Sequence, residues 1–382
     1  MERLHFLDSL RGWAALVVVF CHTLQVWLIN PTRMEALGLK QTLDVVNSTP
    51  LGVLMDGQLA VYVFFVISGA ALSYSILIAD DSRERLFVLA LSRYVRLTIP
   101  VLGSCLLAYA ILVSDGFFNI AAAAASQSSW LDEFYLFEPD FLRMLRFALL
   151  DVYFAYDGAT SWNAVLWTMP IELAWSFAIF ALLIVPWRIA RRLIAIGLTL
   201  LLFDHAGAGF FAGYLIADLI ATQRAASTPR LPREIFGVFL IATALVLAVL
   251  RNAPLSGPIH DFMQSVAGRN CAAILLLLGI SQSSAAQAAL SGPTSHFLGR
   301  ISFSLYLVHL LVICSASSAL FLWLNGSVSV AIEIVLVWGF TIAASIFFAW
   351  MFAAYFEEPI LRAVKTGVLR STRSITRVLK VP

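Results

Sequence analysis

Residues 7–29 read LDSLRGWAALVVVFCHTLQVWLI, an apolar run that contains an arginine, Arg11, and a histidine, His22. The stretch from 10 to 29 has the about 20 residues that a helix needs to cross the hydrocarbon of a bilayer. Ionisable residues are costly there, so each one is a candidate for function. Arg11 and His22 are eleven positions apart, close to three helical turns, so they share a face. The rise between them is roughly 16 Å, which puts Arg11 near the cytoplasmic surface and His22 near mid-membrane. Asp8, three residues before Arg11, lies on that face too. Together they read as the wall of a pathway. Singly, an arginine snorkelling to the headgroups and a histidine bonded to a neighbouring helix account for them as well. The run is longer than a signal-peptide core and no small-x-small cleavage site follows, so it is expected to be retained as a first helix.

The rest of the chain continues the pattern. Of 382 residues, 60% are hydrophobic and 13% charged, with mean hydropathy +0.88. Soluble domains average about 25% charged residues, so lipid is the solvent for most of this chain. Further runs of near-spanning length cover 59–79, 97–113, 162–185, 235–250, 302–324 and 328–356. Shorter ones cover 193–203, 209–220 and 266–280. Asp204 and His205 break the stretch 193–220, which is either one long helix or a tight hairpin. The hairpin makes the charge pattern consistent. With the N-terminus inside and sides alternating, the outward segments hold six basic residues: Arg33, Lys40, Arg143, Arg146, Arg251 and Arg269. The other nineteen of the 25 face the cytoplasm, as the positive-inside rule requires. The sequence therefore predicts an all-α polytopic membrane protein of about ten transmembrane helices with both termini cytoplasmic. The transmembrane domain spans 1–360, and a basic tail over 361–382 lies against anionic headgroups.

One outward segment, 114–161, mixes acids (Asp132, Glu133, Glu138, Asp140) with aromatics (Trp130, Tyr135, Tyr153, Tyr156). The mixture fits either a carbohydrate-facing surface or an interfacial aromatic belt. Cys21, Cys105, Cys271 and Cys314 sit in apolar runs without metal-ligand spacing, so neither a disulfide nor a metal site is expected. Nothing points to nucleic acid.

Three more groups of polar residues lie where lipid should be. Glu172 follows Pro170, which removes a backbone donor and should kink the fourth helix. At a depth similar to that of His22, Glu172 is a candidate for a carboxylate–histidine pair that fixes the imidazole tautomer, or for a structural polar pair. Arg93 and Arg96 share a face at i and i+3, and two guanidiniums side by side suit phosphates; they also suit ordinary cytoplasmic anchoring. Tyr306 and His309 share a face of the ninth helix and either line the same cavity or are satisfied structurally.

Taken together, these residues resemble acyltransferase family 3, membrane acyltransferases that modify polysaccharides, lipids and other acceptors. The resemblance rests on Leu7-Asp8-Ser9-Leu10-Arg11-Gly12 with His22, on Phe64-Phe65-Val66-Ile67-Ser68-Gly69, and on Arg93 with Arg96. Trp167-Thr168 with Glu172, Ser302 through His309, and Glu358-Pro359 complete it, in family order over residues 7–359. One departure is Ala70-Ala71, where the family has a bulky residue, which bears on acyl or acceptor preference. No appended hydrolase-like domain is expected.

The resemblance implies transfer of an acyl group, most often acetyl, from cytoplasmic acyl-CoA to a hydroxyl of a cell-surface polysaccharide, lipid-linked sugar or related acceptor. It implies a bacterial inner-membrane location. Arg93 and Arg96 would hold the CoA phosphates, and Arg11 would position the donor or stabilise the thioester oxygen. His22 would act as general base or transient acyl carrier, with Glu172 orienting it. Ser68, Tyr306 and His309 would contribute to the donor cavity. The competing class is a transporter or lipid-linked flippase that uses the same polar stripe.

Overall fold

The computed structural model describes residues 4–27, 38–79, 82–226, 230–252 and 256–363. Arg3, Arg33 and the basic tail from Lys365 onward lie outside the described residues. Among those described, regular structure is entirely helical. Ten principal helices follow the ten apolar runs: α1 His5–Trp27, α2 Gly57–Leu77, α3 Ser82–Val113, α4 Met169–Ile184 and α5 Arg188–Leu201. They continue with α6 Gly207–Ala226, α7 Arg230–Asn252, α8 Val266–Gln282, α9 Pro293–Val312 and α10 Val330–Phe352.

Among the described residues, seven helices are long and apolar enough to cross a membrane, or eight if α8 and the short helix before it, bent by 73°, form one broken span, where the sequence predicts about ten. α5 has 14 residues, about 21 Å of helix against about 30 Å of hydrocarbon. The hairpin reading of 193–220 holds. Arg188 and Arg192 at the start of α5 both grip Asp218, well along α6, at 2.7 and 2.5 Å, so the two helices run antiparallel.

Close backbone approach sets the centre of the bundle. A Cβ on Gly12 would lie 2.3 Å from the backbone carbon of Leu298, and one on Gly299 would lie 2.6 Å from the Asp8 carbonyl. Only glycine lets α1 and α9 meet this closely, as small residues do in membrane packing. The two helices run parallel: Trp13 donates to Ser295 near their starts, and His22 lies against His309 further along. α9 and α10 are antiparallel, joined where Ser304 donates to Glu357 and where Arg300 meets Glu358. Large apolar side chains such as Leu193, Leu201, Phe239, Val335 and Phe347 point outward from the peripheral helices, as a lipid-facing surface requires.

π-type turns interrupt the helices at Phe147–Asp151, Ile313–Ser317 and Ala353–Glu357. Such turns free carbonyls from the regular ladder. Two of these are captured by other segments: Tyr94 donates to the Leu149 carbonyl, and the Phe118 amide donates to Cys314 at 2.9 Å. The second bond pins the segment 114–161 onto the turn that follows α9.

Candidate functional site

A cavity of about 600 Å³ opens at the end of the bundle where α1 and α9 begin. α1, α2, α3, α4 and α9 wall it. Its acids are Asp8, Glu172 and Glu357; its bases are Arg11, Arg85, Arg93 and Arg96. α3 begins well before the apolar run at 97, because Arg85, Arg93 and Arg96 project into this polar space rather than into lipid.

Arg11 donates to Ser302 at 3.2 Å and lies 3.8 Å from Asp8, with both charges more than a third exposed at the mouth. Arg93 donates to Glu172 and, at 2.9 Å, to the Ser176 hydroxyl; its side chain is only 16% exposed and that of Glu172 13%. This corrects the expected pairing of Glu172. Glu172 partners Arg93 and not His22. Arg93 is committed to that carboxylate, so its charge is neutralised within the wall. The local reason lies in α4, which begins with Pro170 in its first turn after the 3-10 turn Ala164–Thr168 and so turns Glu172 toward α3. Pro170 therefore starts this helix instead of kinking its middle.

Two cavity residues escaped the sequence reading. Arg85 lines the cavity with its Nε buried and without a hydrogen-bond partner. Glu357 accepts from Ser304 and is turned into the cavity by the π-type turn over 353–357. An intramembrane acid beside Glu358-Pro359 was the available signal. Ser68 lies in the cavity wall as expected, as does Ala71, whereas Ala70 is buried at the crossing of α2 with α6.

Tyr306 forms the inner end. It lines the cavity and donates to the Val165 carbonyl, with the Thr168 hydroxyl at 3.0 Å and the Phe64 ring at 6.0 Å. Behind Tyr306, at 6.1 Å between ring centres, lies His309. His309 is 0% exposed and is not part of the cavity wall, which corrects its placement with the donor-binding residues. Its Nε2 lies 2.9 Å from Nδ1 of His22, and its Nδ1 lies 3.0 Å from the Leu305 carbonyl. His22 too is absent from the cavity wall. The near-parallel course of α1 and α9 brings these two histidines, 287 residues apart, to the same depth.

The segment 114–161 closes over them. Trp130 packs on His22 at 5.0 Å, and Phe117 stacks on Tyr135 at 3.7 Å. Asn119 holds the fold of the segment by donating to the Leu131 and Phe134 carbonyls at 2.9 and 3.0 Å. Burial pushes the Tyr135 phenol well above its usual range, so it stays a hydroxyl donor. Most of the aromatics face inward, while Asp132, Glu133, Glu138 and Asp140 face solvent. The segment is thus a folded cap with an acidic outer face. It does not present a continuous aromatic surface to a sugar.

The family model described as Acyltransferase domain, acyltransferase family 3, matches residues 4–355. Neither the curated proteins nor the solved structures compared give a match.

Proposed function

This multi-pass membrane protein belongs to acyltransferase family 3, and from that premise we propose that it moves an acyl group, acetyl first, from cytoplasmic acyl-CoA to a hydroxyl acceptor. The observation that carries the reading is the arrangement around Tyr306: an arginine-lined cavity on one side of the ring, a histidine pair on the other.

Guanidiniums bind phosphates with two parallel hydrogen bonds, so Arg85 and Arg96 hold the phosphates of CoA near the mouth. Arg93 acts through Glu172, keeping α3 and α4 together. Arg11, roughly 16 Å along α1 from His22, is out of reach of a carbon reacting there, so its part is to bind the donor. The pantetheine arm runs along the apolar wall of Val61, Phe64 and Leu97 toward Tyr306, with Ser68 beside it. Tyr306 must swing aside for the thioester to meet His22.

His22 then takes the proton of the acceptor hydroxyl as its oxygen attacks the thioester carbon. The C–S bond breaks, and the proton passes to the CoA thiolate. Alternatively, His22 carries the acyl group for one step before the hydroxyl takes it. The acceptor, a surface polysaccharide or lipid-linked sugar at a bacterial inner membrane, reaches His22 from the side of the cap.

Calorimetric titration of the purified, detergent-solubilised protein with acetyl-CoA tests the donor site. Saturable binding is expected, weakened by about 1.5–3 kcal/mol for each charged hydrogen bond lost in Arg85→Ala and Arg96→Ala. Absence of binding by wild type, with longer thioesters also silent, would favour a transporter or flippase using the same polar stripe.

A further inference from the structure

The hydrogen-bond directions around the histidine pair fix a tautomer. A backbone carbonyl only accepts. The His309 Nδ1 that faces Leu305 O at 3.0 Å therefore carries the proton. In a neutral imidazole the other nitrogen is then a lone pair, so His309 Nε2 is an acceptor. It lies 2.9 Å from His22 Nδ1, and two lone pairs cannot meet at that distance; His22 Nδ1 must carry a proton. In neutral His22 that leaves Nε2 unprotonated. The opposite order needs a proton on both nitrogens of His309. That cation would sit at a fully buried position, with no carboxylate bonded to either ring among the described residues.

We infer that His309 is a positioning residue which holds His22 as the Nδ1–H tautomer and makes Nε2 the reacting atom. The inference rests on reading His22 as the base or acyl carrier. The chain of bonds runs from His22 Nδ1–H to His309 Nε2, and from His309 Nδ1–H to the Leu305 carbonyl. It does with a neutral acceptor what a carboxylate does behind the histidine of a serine hydrolase: it selects the tautomer and keeps its hydrogen bond when the ring becomes imidazolium. When Nε2 takes the hydroxyl proton, His22 carries protons on both nitrogens, and the Nδ1–H bond to His309 shortens as the donor becomes charged. Return of the Nε2 proton to the CoA thiolate restores the starting state. A polar acceptor suits the fully buried position of His309 better than a carboxylate would, because a lone buried anion there would bear the cost of desolvation between turnovers. Two further bonds hold α9 in place around the pair: Asn163 donates to the Leu307 carbonyl at 2.7 Å, and Tyr306 donates to Val165.

The test is nitrogen NMR of the full chain labelled with ¹⁵N-histidine in lipid nanodiscs, the His22 signals being those lost in His22→Gln. Wild type is expected to show His22 protonated at Nδ1 and bare at Nε2; a proton on Nε2 overturns the inference. In His309→Leu, His22 should become a mixture of tautomers. Acyl transfer should fall about 10²-fold in kcat, with KM for acetyl-CoA nearly unchanged. His309→Gln, whose amide oxygen accepts from Nδ1–H, should restore the tautomer and most of kcat. An unchanged tautomer in His309→Leu, or no rescue of the tautomer by Gln, overturns the role of His309. Should His309→Leu fail to fold, wild type and His309→Gln decide. Full acyl transfer by His22→Gln would instead overturn the catalytic reading beneath the inference, while the tautomer result would stand by itself.

Discussion

The cavity and the histidine pair share one ring, Tyr306, yet they are built on opposite principles. Seven ionisable side chains surround about 600 Å³ of space that opens to the cytoplasmic end of α1 and α9 in the proposed orientation. Beyond Tyr306, among the described residues, His22 and His309 hydrogen-bond to each other and to the Leu305 carbonyl beneath a layer of aromatics. The first region tolerates charge because water and neighbouring charges solvate it. The second is largely buried, His309 fully and His22 in part, so a hydrogen bond there is stronger and an unpaired group costlier. In the proposed function, binding and chemistry are thereby separated along α1, with Arg11 in the first region and His22 in the second.

The largest effect should come from the histidine side. His22→Ala is expected to lower acyl transfer by about 10²–10⁴-fold while leaving acetyl-CoA affinity intact, checked by single-turnover transfer beside calorimetry. Equal loss of both would mean that the two regions are one site, and the division would collapse. Next is the wall of the cavity. Glu172→Ala leaves the Arg93 guanidinium uncompensated in a mostly buried place and should cost about 3–5 kcal/mol of stability, read as a lowered unfolding temperature in detergent. Glu172→Gln, which keeps a hydrogen-bond acceptor, should cost less. If both variants unfold as wild type does, the pair is not what joins α3 to α4.

Gly12→Ala tests the frame that brings the histidines level. Its methyl would meet the Leu298 backbone, so α1 and α9 must part, at about 1–3 kcal/mol. The His22 NMR signals should shift with them; an unperturbed His22 would mean that the helix contact does not set the pairing. The smallest effect is expected outside both regions. Asp132→Asn and Glu133→Gln, on the exposed face of the cap, should change stability by less than about 0.5 kcal/mol and leave donor affinity alone. A large fall in transfer with no change in donor affinity would place the acceptor on that face.

Much of this molecule was legible along the chain. All ten apolar runs became helices, and the break at Asp204 and His205 became a turn, since burying two polar residues mid-helix in lipid is costly. Where the runs misled, the cause was local. Apolar length marks only what touches lipid, so α3 and α9 begin earlier than their runs, at residues that face the cavity or the neighbouring helix. α5 is too short to span by itself, although its run from Leu193 is apolar.

The site divides in the same way. Helical periodicity alone puts Arg11 and His22 on one face, and arginines at i and i+3 on another, because 3.6 residues per turn is a property of the backbone. Partnership is not. Glu172 and His22 looked like a pair by depth, yet Glu172 closes on Arg93 across 79 residues and His22 on His309 across 287. Those choices depend on which helices cross and at what height. Glycine contacts and π-type turns set the crossings, and neither leaves a periodic trace in the sequence. The sequence determined a membrane-embedded helical protein, the residues that carry its polar chemistry and the family resemblance they support. Only the tertiary structure decided which of them meet, because a hydrogen bond selects its partner within about 3 Å, and packing alone brings distant segments that close.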